Sequence, residues 1–203
     1  MKKDSDHILN KNENVIEQSI GMTLNKYKFE DIKFDKGDIT VDFNMDIIEN
    51  IIDNQESQTV KYTNRSNVYT DVGFVGEAME NTVWYPSLDE TVSIFGLDTL
   101  ENKFGFIVNT IVGAVKSRLP GTGSPLHIDR YSKVKSVSGN TGRWVIHLQD
   151  WNWGEFCQVD NRIMVGWQAG DSYQVPAGVP HLAVNYGIRN RNFFTVTGEL
   201  KNG

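Results

Sequence analysis

His127-Ile128-Asp129 and His181 are the residues of this chain best suited to chemistry, with Arg191 ten positions beyond the second histidine. In an extended strand, residues i and i+2 point to one side. His127 and Asp129 can therefore offer an imidazole and a carboxylate to the same metal ion. Two imidazoles and one carboxylate on one face of a metal leave the other face open, which suits iron(II) and dioxygen. The chain has only four histidines, and this arrangement uses two of them.

The His-x-Asp triplet alone is close to what chance provides. More weight falls on Gly170-Asp171-Ser172-Tyr173-Gln174-Val175-Pro176-Ala177-Gly178-Val179-Pro180-His181, with Asn185 four residues later. This reads as a strand, a Pro/Gly turn and a histidine opening the next strand. Pro176 and Gly178 shape the tight turn.

The elements that must position these residues are mostly strands. Alternation or apolar runs mark Leu126–Tyr131, Arg143–Asp150, Glu155–Val159, Arg162–Trp167, Ser172–Val175, His181–Asn185 and Asn192–Gly198, with Asp160-Asn161 as a tight hairpin between two of them. About seven short strands with frequent turns predict an all-β sandwich or barrel. Upstream, Ile39–Phe43 alternates like a strand and Asp46–Asn54 suits a short helix. The stripe Phe104, Ile107, Ile111 and Val115 predicts a helix over Leu100–Arg118 that stops at Leu119-Pro120-Gly121. Residues 1–28 read as a polar arm or short helix, and Lys61–Asp89 has no legible pattern. The expected organisation is a single domain, 1–203, with a bracing helix at 100–119 and a barrel core at 121–198.

Composition narrows the function classes. A chain of 203 residues with 39% hydrophobic content, five Trp and ten Phe is long and apolar enough to bury a core. A net charge of -6 argues against a nucleic-acid surface, which wants a basic face. Cys157 is the sole cysteine, so no intramolecular disulfide and no cysteine-based zinc site can form; packing is its ordinary role, a reactive thiol the alternative. Met1–Glu17 lacks the apolar core of a signal peptide, and no stretch approaches the roughly 18 apolar residues of a membrane span. A cytoplasmic, reducing compartment without membrane partners is the expectation.

The Gly170–Asn185 segment resembles the second sequence motif of the cupin superfamily, G-x5-P-x-G-x2-H-x3-N, at every fixed position. Gly121, five residues and then His127-x-Asp129 resemble the start of the first cupin motif, with Asp129 where many cupins have a second histidine. The His181–Arg191 separation is similar to that in the 2-oxoglutarate/iron(II) oxygenases, a branch of the same architecture. In those enzymes an arginine about ten residues after the distal histidine binds the far carboxylate of 2-oxoglutarate. The planar fork of a guanidinium suits that task; Arg189 is the competing candidate. Arg143-Trp144-Val145-Ile146-His147-Leu148 and the Trp167…Gly170-Asp171 turn look closest to the aspartyl/asparaginyl β-hydroxylase-like group, although its Arg and His stand closer together and some members lack the acidic ligand. The resemblance covers about Gly121–Gly198.

The resemblance implies a mainly β fold with bracing helices, a double-stranded β-helix or jelly-roll, cupin-like barrel. It implies iron(II) held by His127, Asp129 and His181. It also implies 2-oxoglutarate as cosubstrate, contacted by Arg191, Arg143, His147 and Thr195. The reaction implied is hydroxylation of a C–H bond in a peptide side chain or amino-acid-like small molecule, releasing succinate and CO2. On the residues alone, His147 is as readily a hydrogen-bonded core histidine and Arg143 a buried ion-pair partner. Trp151 and Trp153 beside Gly154 are rim aromatics or the border of a substrate mouth. Two other readings stay open: a cupin metalloenzyme without 2-oxoglutarate, such as an isomerase or direct dioxygenase, and a non-catalytic cupin-like binding module. A homodimer is left open by the sequence.

Overall fold

The computed structural model describes residues 33–56, 58–61, 79–127, 129 and 140–201. The arm or helix expected at 1–28 lies outside the described residues, as do residues 62–78 of the unassigned segment. The described elements are β1 (Lys33–Asp35), β2 (Ile39–Thr40), α1 (Met45–Asn54), β3 (Gln58–Lys61), β4 (Met79–Trp84) and α2 (Leu88–Phe95). A π-helical turn (Thr99–Lys103) and a 3-10 turn (Val108–Thr110) follow. The remaining strands are β5 (Val112–Arg118), β6 (Thr122–His127), β7 (Thr141–His147), β8 (Glu155–Val159), β9 (Arg162–Met164), β10 (Asp171–Pro176), β11 (His181–Asn185) and β12 (Arg191–Glu199).

The strands form two sheets, ordered β1-β9-β8-β11-β6 and β2-β10-β7-β12-β5-β4-β3. From β5 to β12 the chain passes between them so that β10-β7-β12-β5 opposes β9-β8-β11-β6. Eight strands connected in this order make a double-sheet jelly roll, the fold class expected from the sequence. Asp160 has φ 52° in the β8–β9 turn, a left-handed conformation that Asp and Asn tolerate and that matches the predicted hairpin.

Side chains alternate across each strand, and this splits the apolar residues into two cores. Val145, Cys157, Val159, Tyr173, Val175 and Phe193 pack between the sheets. Their strand neighbours Trp144, Ile146, Phe194 and Val196 face outward and meet Ile48 and Ile51 of α1 and Ile94 and Phe95 of α2. The Phe194 ring meets Phe95 edge-on at 4.9 Å, and Trp144 stacks on Phe104 at 4.9 Å. The helices brace the outer face of one sheet and leave the space between the sheets to function. α2 begins in a capping box: Ser87 Oγ accepts from the Glu90 backbone N–H while Glu90 accepts from that of Ser87. Among the described residues, no helix is long and apolar enough to cross a membrane.

The helix expected at 100–119 is not formed, and the barrel starts at Val112 rather than Gly121. Gly105 takes φ 73° and ends the π-helical turn. Beyond it, the β-branched Val108, Ile111, Val112 and Val115 favour extended backbone. Strand β5 then gains ladders to β12 on one side and β4 on the other. Gly113 is required there because an added Cβ would stand 2.8 Å from Thr91 Oγ1 and 3.0 Å from the Phe194 ring. The stripe signalled burial for three of its four residues: Phe104 and Val115 share one core with Ile111 packed against it, while Ile107 is exposed. It failed on period, because a turn, a 3-10 segment and a strand bring those residues to that core.

Candidate active site

His181 opens β11 after the turn at Gly178, where φ is 77°. Two backbone bonds pin the turn: Ala177 N–H to Thr141 O at 3.1 Å, and Asp160 N–H to Pro180 O at 2.9 Å. In register, His181 pairs with His127 at the end of β6 on one side and Val159 of β8 on the other. His127 is thus placed beside His181 by its backbone. His181 Nδ1 lies 3.0 Å from the Val179 carbonyl oxygen, which has no proton to give. Nδ1 therefore carries a hydrogen, and Nε2 is the ring nitrogen turned toward Asp129. Metal-binding imidazoles are commonly oriented by such a contact.

Asp129 Oδ2 stands 3.5 Å from His181 Nε2. Arg143 Nη1 donates to the same oxygen at 2.5 Å, and Arg143 Nε donates to Thr197 Oγ1 at 3.0 Å. These groups form the mouth of the barrel, and the Arg143 and Asp129 side chains are partly exposed. An imidazole nitrogen facing a carboxylate at this distance is an arrangement that suits a cation between them. Nitrogen and oxygen donors of this kind fit iron(II).

Beyond the mouth the interior turns polar again. Arg191 begins β12 and is 1% exposed. Its Nη2 donates to Cys157 Sγ at 2.8 Å, and Tyr173 Oη donates to the same sulfur at 3.3 Å. The guanidinium carbon lies 4.9 Å from the Trp167 ring and 5.1 Å from that of Phe193. His147 stacks on Trp167 at 3.9 Å with the rings 5° from parallel. Burial first, and Arg191 second, hold its pKa well below the usual imidazole value, so it is neutral. Burial pushes the Glu155 carboxyl up, against the pull of Arg191, and pushes the Tyr173 phenol up as well.

Seven buried atoms here lack a well-formed hydrogen-bond partner: both Glu155 oxygens, both His147 nitrogens, Trp167 Nε1, and Arg191 Nε and Nη1. Each costs about 1–3 kcal/mol if truly unmet. The cluster therefore calls for a polar occupant, water or ligand.

The structure gathers Asp129, His181 and Arg143 at the mouth, and Arg191 with His147 in the interior. Thr195 is buried and directs its hydroxyl to the Ala114 carbonyl at 3.5 Å. Arg189 is exposed and donates to the Asp150 carbonyl, which leaves Arg191 as the interior guanidinium. Trp153 does not border the mouth. It is 81% exposed and precedes Glu155, whose register partner Asn185 lies at the opposite end of β11 from His181. Sequence reading missed Thr197 and Glu155 as site residues and treated Cys157 as packing. The available signal for Glu155 was alternation, since it shares the inward phase of Cys157 and Val159 on β8.

No family model matches the chain, and no curated protein matches it. Among solved structures it is similar to a Silicibacter pomeroyi protein described as a sugar phosphate isomerase from a cupin superfamily, at 14% identity over 74% of each chain with a TM-score of 0.41. It is also similar to a Salinispora arenicola Cupin 2 conserved barrel domain protein, at 19% identity over 44% of this chain and 64% of that one, with a TM-score of 0.33. A Photorhabdus luminescens protein is similar at 17% identity over 44% of this chain and 63% of that chain, with a TM-score of 0.35. The chain thus spans less than two thirds of the length of the last two. The architecture rests on the strand order itself, which is the double-sheet jelly roll that cupins share.

Proposed function

We propose that this chain is an iron(II)- and 2-oxoglutarate-dependent dioxygenase that hydroxylates a C–H bond of a peptide side chain or amino-acid-like substrate, releasing succinate and CO2. One observation carries the reading: a buried guanidinium with two unpartnered nitrogens, that of Arg191, bonds Cys157, two residues along β8 from the Val159 that pairs with His181. That step is about 6.6 Å along a strand. An extended five-carbon diacid spans about 5–6 Å on carbon–carbon bonds of about 1.5 Å. A keto-acid end at the mouth and a far carboxylate at Arg191 therefore suit one molecule.

In this reading His127, Asp129 and His181 hold the metal, and the Val179 carbonyl keeps the Nε2 tautomer of His181 available. Arg143 aims the Asp129 carboxylate, itself steadied by Thr197. Iron(II), when bound, supplies the activation of dioxygen that no side chain here can perform. Arg191 fixes the far carboxylate, while Val145, Val175 and Phe193 exclude water between the two ends. The test is succinate formation from 2-oxoglutarate, dependent on iron(II), screened with peptide and amino-acid panels. Absence of succinate under all these conditions would overturn the assignment.

A second reading draws on the other contacts of Arg191. Its bond to Cys157 and its position over two aromatic rings also suit a packing role. The mouth would then serve a cupin metalloenzyme without 2-oxoglutarate. Such a protein would bind metal through the same residues but give no 2-oxoglutarate saturation.

A further inference from the structure

Glu155 and Arg191 pose a charge problem that the proposed function leaves unsolved. Both are 1% exposed and act on one another electrostatically. Neither Glu155 oxygen, however, bonds to Arg191, whose Nε and Nη1 are also unpartnered. A carboxylate arriving on those nitrogens would be the second carboxylate beside one guanidinium, both groups being almost wholly buried. Two carboxylates sharing such a site do not both stay ionised.

Among the neighbouring groups, the Asn152 backbone amide and the Arg189 guanidinium favour the ionised Glu155 carboxylate, and the others leave the conflict in place. On β7, His147 is held neutral by burial. On β10, Tyr173 donates to Cys157, the next inward residue on Glu155's own strand. Arg189, in the loop before β12, acts on Glu155 from the surface and donates to the Asp150 carbonyl. On β5, Lys116 is buried, and the Arg118 guanidinium donates to Ala183 O and Ser124 Oγ. On β11, the register partner Asn185 is uncharged and donates to backbone carbonyls.

A proton resolves it. A carboxylate offers about four lone-pair sites. Arg191 Nε and Nη1, the Trp167 indole N–H and a protonated Glu155 O–H are four buried donors without partners of their own, and the Arg191 guanidinium lies against the Trp167 ring. We infer that protonated Glu155 is a second contact for the far carboxylate of the cosubstrate, so that 2-oxoglutarate enters this barrel together with one proton. The proton comes from solvent and resides on a Glu155 oxygen; no other bond changes. This rests on the dioxygenase reading above. Burial already raises the Glu155 carboxyl above its ordinary range, and a second negative charge raises it further, from ionised in the free protein to protonated in the complex.

The experiment is anaerobic calorimetric titration of 2-oxoglutarate into the iron(II)-loaded full-length chain, in two buffers of different ionisation enthalpy. At neutral pH the wild type should take up close to one proton per 2-oxoglutarate, and its affinity should fall up to about tenfold per pH unit as pH rises. Glu155→Gln keeps a donor without titrating, so it should show neither the uptake nor the slope. Equal proton uptake in the two proteins overturns the assignment while leaving the dioxygenase reading intact. If the variant does not fold, zero uptake by the wild type overturns it in the same way. Failure of 2-oxoglutarate to bind either protein removes the dioxygenase reading and this inference together.

Discussion

His181 Nε2 faces Asp129 Oδ2 across 3.5 Å, with the imidazole fixed from behind by the Val179 carbonyl and the carboxylate fixed by Arg143. Both side chains are therefore held in place by the protein's own contacts, as the proposed metal centre requires. His181→Ala, Asp129→Ala and His127→Ala should each weaken iron(II) binding by at least about a hundredfold, since loss of supporting contacts alone costs about 10–100-fold. Anaerobic iron(II) titration measures this. Wild-type affinity in the His181 variant would remove the metal centre from this position.

Arg191 contributes through charge rather than coordination. Arg191→Met keeps most of the side-chain volume over Trp167 and Phe193 but removes the donors. The 2-oxoglutarate concentration needed for half-maximal succinate formation should rise by about 10–100-fold, the worth of a charge-assisted hydrogen bond of about 1.5–3 kcal/mol. Iron(II) affinity should stay near wild type. Unchanged cosubstrate dependence would favour the reading without 2-oxoglutarate.

His147 should make the fold acid-sensitive. Its pKa in the folded chain is depressed below the ordinary 6.5, by burial and then by Arg191. The unfolded chain therefore takes up a proton first as pH falls. The stability from keeping His147 neutral is complete above the unfolded value and is lost below it, at up to about 1.4 kcal/mol per pH unit. Glu155, raised by burial, acts in the opposite sense between its ordinary value and its folded one. Urea unfolding of wild type and His147→Phe from neutral to mildly acidic pH separates the two. An identical pH slope in both proteins would show that His147 is not buried neutral.

Gly154 is the tightest backbone approach near Glu155. Its φ is 90°, and an added Cβ would stand 2.6 Å from Gly187 N and Tyr186 C. Gly154→Ala should cost at least about 1–3 kcal/mol through strain and overpacking together. Thermal or urea unfolding reads this directly, and a change within about 0.5 kcal/mol would contradict the described loop packing.

The place of His181 at the start of a strand was legible because turn chemistry is local. Pro176, Gly178 and His181 mark a turn and a strand start by residue type alone, and the structure has both there. The helix expected at 100–119 shows where such reading stops. Phe104, Ile111 and Val115 carry a helical spacing by coincidence, and the ladders with β4 and β12 that decide their conformation come from residues distant in the chain. Glu155 was illegible for a related reason. Nothing within β8 reveals that Arg191, 36 positions later, will stand beside it without bonding to it.

The Arg143–Asp129 contact makes the mouth electrically self-sufficient. A guanidinium already balances the carboxylate and is tethered through Thr197 to the last strand. On the iron(II) reading proposed above, folding of the jelly roll would not wait for a metal, and iron would be a late, exchangeable visitor rather than a structural staple. A chelator would silence such a protein without unfolding it.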